Sequence, residues 1–180
     1  MQLIKTYLVA CVLALGITAI VAPVANAQDS EDSGTTIAFG NRKQDTDAPI
    51  DVTSEKLAID ETANTALFTG DVVVVQGTMT LYAPWVKVFY NEAQDGISNM
   101  RAKGGVTLIQ NEEAAEGEEA VYDLEKEVMV MTGDVLVTQK LSAIAADKMT
   151  IKMDDGTALM TGRVKTLLRT STNKKKDDDG

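Results

Sequence analysis

From residue 49 to residue 169 the chain alternates apolar and polar positions with a period of two, the pattern of half-buried strands. Ile50 and Val52 alternate in this way after Pro49, and Leu57-Ala58-Ile59 follows. Ala66–Gln76 and Met79–Tyr90 are the longest runs; Gly70 marks a bulge in the first and Pro84 a corner in the second. Further strands are expected at Val106–Gln110, Ala120–Leu124, Val128–Met131, Val135–Gln139, Lys148–Met153 and Arg163–Arg169. Asp60–Asn64, Asn91–Gly96, Glu125–Glu127 and Asp154-Asp155-Gly156 read as turns, and the acidic Asn111–Glu119 as a loop. No helical periodicity is sustained in this region. Many short strands joined by turns indicate an all-β sandwich, barrel or roll.

One unit recurs. Phe68-Thr69-Gly70-Asp71-Val72-Val73-Val74-Val75-Gln76 returns as Met131-Thr132-Gly133-Asp134-Val135-Leu136-Val137-Thr138-Gln139. Weaker copies are Lys103-Gly104-Gly105-Val106-Thr107-Leu108-Ile109-Gln110 and Thr161-Gly162-Arg163-Val164-Lys165-Thr166-Leu167. The four glycines are 34, 29 and 29 residues apart, a period typical of stacked repeats. Aligned on glycine, positions two and four hold Val72, Val74, Val106, Leu108, Val135, Val137, Val164 and Thr166. These share one strand face, so the valines are expected to point inward. A second strand accompanies each copy, as in Ser54–Ile59, Ala83–Val88 and Ala146–Ile151, and stacked pairs would bury a continuous apolar stripe.

Residues 1–27 read differently. Lys5 precedes the apolar run Thr6–Val24, and Ala25-Asn26-Ala27 is a small-x-small site, so a secretory signal cut after Ala27 is expected. An uncleaved anchor is the alternative. Leu8-Val9-Ala10-Cys11 resembles a lipobox but leaves too short an apolar segment before the cysteine. The expected organisation is a signal at 1–27, a flexible polar leader at 28–47, a β domain at 48–169 and a disordered Lys/Asp tail at 170–180.

Removing the signal leaves 16 Lys and Arg against 27 Asp and Glu, a net charge of −11. Such a surface repels nucleic acid and disfavours unguided binding to anionic membranes. The only cysteine, Cys11, lies in the signal, and the chain has no histidine. Disulfides and histidine-based catalysis or metal binding are therefore excluded after cleavage. No cofactor motif is present. The acidic stretches Glu112–Glu119 and Asp154-Asp155 would be the places to seek a glycosidase pair or Ca²⁺, but neither has the spacing of an EF-hand.

Ala48-Pro49-Ile50-Asp51-Val52, Phe68-Thr69-Gly70-Asp71-Val72, Gln76-Gly77-Thr78, Glu116-Gly117, Tyr122 and Met131-Thr132-Gly133-Asp134 together resemble the OstA-like periplasmic proteins of lipopolysaccharide transport. The resemblance runs from about Thr46 to Arg169 and does not include Trp85 or the charged tail. It implies a twisted β-jelly roll whose two antiparallel sheets open as a V with open ends. It implies a non-enzymatic bridge that carries lipid A in an apolar groove, and copies joined head to tail. The implied partners are lipopolysaccharide, an LptC-like inner-membrane component, an LptD-like outer-membrane translocon and the chain itself. The implied contacts of the acyl chains are Thr46, Ile50, Val72, Val74, Val86, Val88, Leu108, Tyr122, Val135 and Val137. A membrane-anchored LptC-like component and a structural β-repeat filament that binds no lipid remain the alternatives.

Overall fold

A computed structural model describes residues 34–40 and 44–169. The expected signal at 1–27 and tail at 170–180 lie outside the described residues, which contain strands and no helix. The strands are β1 (Thr35–Ala38), β2 (Ile50–Thr53), β3 (Lys56–Asp60), β4 (Thr65–Gln76), β5 (Met79–Tyr90), β6 (Ile97–Gln110), β7 (Glu113–Asp123), β8 (Val128–Gln139), β9 (Ser142–Lys152), β10 (Thr157–Thr161) and β11 (Lys165–Leu168). All pair antiparallel in the order β1-β10-β9-β8-β7-β6-β5-β4-β2, with β3 also on β4 and β11 also on β9. The sheet does not close on itself.

Each long strand is bent near its middle. Pairing breaks between Thr69 and Val72 on β4, Tyr82 and Trp85 on β5, Lys103 and Val106 on β6, Glu116 and Glu119 on β7, and Thr132 and Val135 on β8. Gly70, Gly104 and Gly133 sit at these bends, and Gly162 lies between β10 and β11, where its carbonyl accepts from Asp147 N–H. Gly70 and Asp71 have φ of 81° and 42°, Gly104 and Gly105 of 89° and 93°, Gly133 and Asp134 of 85° and 46°, and Gly162 and Arg163 of 72° and 40°. Glycine takes positive φ without penalty and aspartate tolerates it better than most residues, which is why the unit reads Thr-Gly-Asp twice. There is no room for a side chain either: a Cβ at Gly133 would lie 2.5 Å from Cβ of Glu118. Bulges of this kind bend a strand. Stacked strand after strand, they form a spine along which the sheet folds. At one end of the spine the Arg163 guanidinium grips Asp147 (Nε to Oδ1 2.9 Å) and holds its carboxyl below the usual carboxylate range.

The fold line divides the sheet into two arms. The first contains β1, β3, β10 and residues 65–69, 85–90, 97–103, 119–123, 128–132 and 148–152. The second contains β2, β11 and residues 72–76, 79–83, 106–110, 113–117, 135–139 and 142–146. Their inner faces meet and make the core. The first arm contributes Ala66, Val86, Val88, Met100, Ala102, Ala120, Tyr122, Met129, Met131, Met149, Ile151 and Met160. The second contributes Val72, Val74, Met79, Leu81, Ala83, Val106, Leu108, Ala115, Val135, Val137, Ile144 and Ala146. This is the two-layered, V-folded β-jelly roll expected from the resemblance. Val72, Val74, Val106, Leu108, Val135 and Val137 are all buried, as the repeat alignment requires. In the fourth copy Thr166 is exposed, because β11 is an edge strand.

The structure departs from expectation in four places. Thr157–Thr161, to which no strand was assigned, forms β10 as the hairpin partner of β9. Thr35–Ala38, within the segment read as a flexible leader, forms β1 on the edge of β10. Glu113–Glu119, read as loop, is the first half of β7; its inward positions are Glu113, Ala115 and Gly117, too small or too polar to register as an apolar alternation. Strands β6 and β9 begin earlier than expected, at Ile97 and Ser142; Ser98 and Asn99 in the one and Ser142, Ala143 and Ala145 in the other obscure the alternation.

Candidate functional site: the interior of the V and the strap across its mouth

The inner face is an apolar surface running strand to strand through the whole stack. Each strand contributes two or three inward residues on each arm, because side chains alternate across the pleat. Methionines concentrate here: Met79, Met100, Met129, Met131, Met149, Met153 and Met160 are all buried. Thioether side chains adapt to irregular apolar partners, which suits a surface whose packing can change. The arms are in contact. Between them lies a void of about 10 Å³, lined by Val74, Leu81, Val86, Met100, Ala102, Ala120 and Tyr122. That is about the space of one water molecule.

Opposite the spine, a strap runs between the strand tips of the two arms. It comprises residues 39–40 and 44–49, on the way from β1 at one end of the stack to β2 at the other. Its backbone is tied to the first arm, Phe39 N–H to Gly156 O at 2.9 Å and Gln44 N–H to Met153 O at 3.1 Å. Thr46 Oγ1 donates to Glu127 Oε1 at 2.6 Å. To the second arm it is tied by side chains. Gln44 Nε2 donates to Gln76 O at 2.6 Å, and Gln44 Oε1 accepts from Gln110 Nε2 at 3.1 Å and Thr78 Oγ1 at 3.3 Å. Gln76 Nε2 donates to Thr46 O at 2.9 Å and Ala48 O at 3.3 Å. Gln139 Nε2 donates to Ala38 O, Asn111 Nδ2 to Gly40 O, and the Glu113 carboxylate accepts from Gly40 N–H. Phe39, Gln44, Gln76, Gln110 and Glu113 are buried. Among the described residues no buried side-chain polar atom lacks a partner, so the polar cluster is complete.

Tyr122 links this cluster to the apolar interior. Its hydroxyl, from the first arm, donates to Gln76 Oε1 of the second at 3.2 Å. Burial pushes its pKa up to about 12, and the negative charge of Glu127 acts in the same direction.

The ten residues singled out in the sequence fall in one connected region. Val72, Val74, Leu108, Val135 and Val137 line the second arm, and Val86, Val88 and Tyr122 the first; all eight are buried. Ile50 is half-buried on β2, and Thr46 is half-buried in the strap. The abundance of methionine in the sequence marks an adaptable apolar surface, but the methionines on β6, β8, β9 and β10 were not singled out by position, although the spacing of Met129 and Met131 was visible. Also missed was the part played by Gln76, Gln110 and Gln139. Each closes a copy of the repeat, and the recurrence of glutamine at one offset from glycine was the available signal.

An open, bent, all-β sheet enclosing an apolar interior defines the class: a V-shaped jelly roll whose end strands each keep one edge unpaired among the described residues. The chain belongs to the family described as LptA/(LptD N-terminal domain) LPS transport protein, whose model matches residues 51–165. It is 34% identical over 112 residues to the lipopolysaccharide export system protein LptA of Escherichia coli (strain K12), covering 59% of this chain and 60% of that protein. An uncharacterised protein of Rhizobium meliloti (strain 1021) is 31% identical over 120 residues, covering 62% of this chain and 64% of its own length. The chain thus matches somewhat under two thirds of the length of these relatives. A crystal structure of LptH, the LptA-homologous periplasmic component of the lipopolysaccharide transport device of Pseudomonas aeruginosa, superimposes with a TM-score of 0.64 at 18% identity. It covers 71% of this chain and 99% of LptH, and it supports the fold.

Proposed function

We propose that this protein is a periplasmic lipopolysaccharide-binding bridge, exported by a signal cut after Ala27, that passes lipid A between the two membranes along its apolar interior. The observation carrying this reading is the unbroken apolar inner face, which reaches the uncovered ends of the stack. At one end Leu57 and Ile59 of β3 pair with inward Phe68 and Ala66 and are 54% and 65% exposed. At the other Leu168 of β11, on the inward side, is 68% exposed. Apolar inner positions left open beside unpaired edge strands suit β-augmentation by a second copy, end to end, which would continue the face from one molecule to the next. The same ends would meet an LptC-like and an LptD-like component at the two membranes.

Physical chemistry explains the need for such a path. Each methylene costs about 0.8 kcal/mol to expose, so one twelve-carbon acyl chain costs roughly 9 kcal/mol, and lipid A carries several. A series of equivalent apolar sites removes that barrier without any covalent step. The proposed acyl contacts are Ile50, Val72, Val74, Val86, Val88, Leu108, Val135 and Val137, with Thr46 and Tyr122 at the polar boundary.

Photo-crosslinking in cells making labelled lipopolysaccharide tests this. A probe at Val74 or Leu108 should give a lipopolysaccharide adduct, and a probe at Asp71, on the exposed spine, should not. The second reading, a structural filament that binds no lipid, is favoured by the completeness of the interior packing. It gains if both inward probes stay free of lipid in exported, folded protein.

A further inference from the structure

The strap occupies the boundary where a bound lipid's polar junction would have to lie. If acyl chains enter between the arms, the chain-to-sugar linkages come to rest at the mouth, beside the strand tips. Those linkages are esters and amides, and each presents a carbonyl oxygen. The groups that now hold the strap are donors to carbonyl oxygens. Gln76 Nε2 donates to Thr46 O and Ala48 O, Gln110 Nε2 to the side-chain carbonyl of Gln44, and Gln139 Nε2 to Ala38 O at the end of β1, where the strap begins. Gln76, Gln110 and Gln139 end β4, β6 and β8, alternate strands, so they are spaced about 10 Å apart along the mouth. We infer that these three glutamines form a carbonyl-binding rail that the strap fills in the closed protein, and that lipid A displaces the strap by supplying its own acyl carbonyls to the same amide donors.

This inference rests on the lipopolysaccharide reading and deepens it. It accounts for recognition by a chain of net charge −10 whose overall field repels phosphate, since neutral amides bind neutral carbonyls. It also accounts for the hydrogen bonding of the strap. Among the described residues the inner faces of the arms pack against each other around a water-sized void, so a chain is admitted there only when the mouth opens. A strap held to the second arm largely by side-chain amides can leave, and the rail it vacates is at once satisfied by the ligand, so no buried donor is stranded.

The chain provides its own test. Cβ of Asp45 lies 3.5 Å from where a Cβ at Gly77 would stand, within the range of a disulfide. In a Cys11→Ser background, the pair Asp45→Cys and Gly77→Cys should lock the strap to the second arm when oxidised and release it when reduced. Equilibrium binding is read with two probes, lipid A and an alkyl glycoside of the same chain length, which has no acyl carbonyl. The oxidised pair should bind lipid A at least about tenfold more weakly than the parent, and reduction should restore parental binding. Separately, Gln110→Leu and Gln139→Leu should each lower the ratio of lipid A to alkyl-glycoside affinity about fivefold, the worth of one neutral hydrogen bond. Gln139 is only half-buried, so its variant tests the rail even if Gln110→Leu fails to fold. A locked form that binds as the parent does, or an unchanged affinity ratio in the Gln139→Leu protein, overturns the inference while the lipopolysaccharide reading stands. A parent protein that binds no lipid A overturns both.

Discussion

The spine and the mouth of the V are the two ends of one repeating unit, and they are held by different physics. At the spine each copy contributes a Gly whose backbone lies at positive φ against the side chain of a neighbouring strand, as Gly133 does against Glu118. The bend is encoded in covalent geometry and cannot be undone while the sheet exists. At the mouth, six residues later, the same copies contribute Gln76, Gln110 and Gln139, whose amides tie down a strap remote in sequence. These bonds are individually worth about 1 kcal/mol and are exchangeable for others. A fixed hinge line opposite a replaceable closure is the arrangement expected of a container that must open on one side.

The largest effect separating the two ends should come from the spine. Gly133→Val places a β-branched residue at φ 85° with its Cβ 2.5 Å from that of Glu118. Backbone strain and the clash together should remove about 4 kcal/mol of global stability. Urea unfolding checks this: the midpoint should drop with an unchanged slope. A loss under about 1 kcal/mol would mean that the bend is set by something other than glycine.

The mouth should respond locally. Gln44→Ala strips partners from Gln110 Nε2, Thr78 Oγ1 and Gln76 O at once. Those groups can be rewetted if the strap lifts, so the cost is paid mainly by the strap. Amide hydrogen exchange at Gln44 and Thr46, whose N–H groups bond Met153 O and Gln44 O, should quicken about 10- to 100-fold. Exchange in the paired strands β6 to β8 should stay near that of the parent. If strand and strap amides accelerate together, the strap is an integral part of the core and the contrast between the two ends fails.

This contrast also marks how far the sequence could be read. The spine was legible because its determinants are local: a glycine, an aspartate and an apolar alternation within nine residues, repeated at a fixed period. Alignment on Gly70, Gly104, Gly133 and Gly162 was enough to place Val72, Val74, Val106, Leu108, Val135 and Val137 on the inner face. The mouth was not legible because its determinants are distant. Gln76 meets Gln44 across 32 residues, Gln110 meets it across 66, Glu113 meets Gly40 across 73 and Gln139 meets Ala38 across 101. A polar residue ending a strand looks like the start of a turn until its partner is known. Strand β1 escaped for the same reason, since its four residues gain their definition from β10, more than 100 residues later. Glu113 went further and concealed half a strand, because a buried carboxylate bonded to a backbone N–H cannot be told from a solvated one in the sequence.

The smallest effect lies where spine-side core and mouth meet, at Tyr122. Its ring belongs to the first arm's apolar row and its hydroxyl to the glutamine cluster. Its pKa is pushed from 10.0 to about 12, first by burial and then by the charge of Glu127. The unfolded chain therefore gives up this proton at lower pH than the folded one. Below pH 10 the tyrosine is neutral in both states and its contribution is complete; between pH 10 and pH 12 the folded state binds more protons, so stability falls as pH rises. Tyr122→Phe removes that part of the slope. Relative to the Tyr122→Phe protein, the parent's urea midpoint should therefore be constant below pH 10 and fall steadily as pH rises from 10 to 12. Exposed tyrosines and lysines titrate in both proteins alike and cancel in the difference. Parallel midpoints across this range would place the phenol in contact with water, and the closed mouth would then be wetter, and its strap more readily displaced, than the buried glutamine cluster indicates.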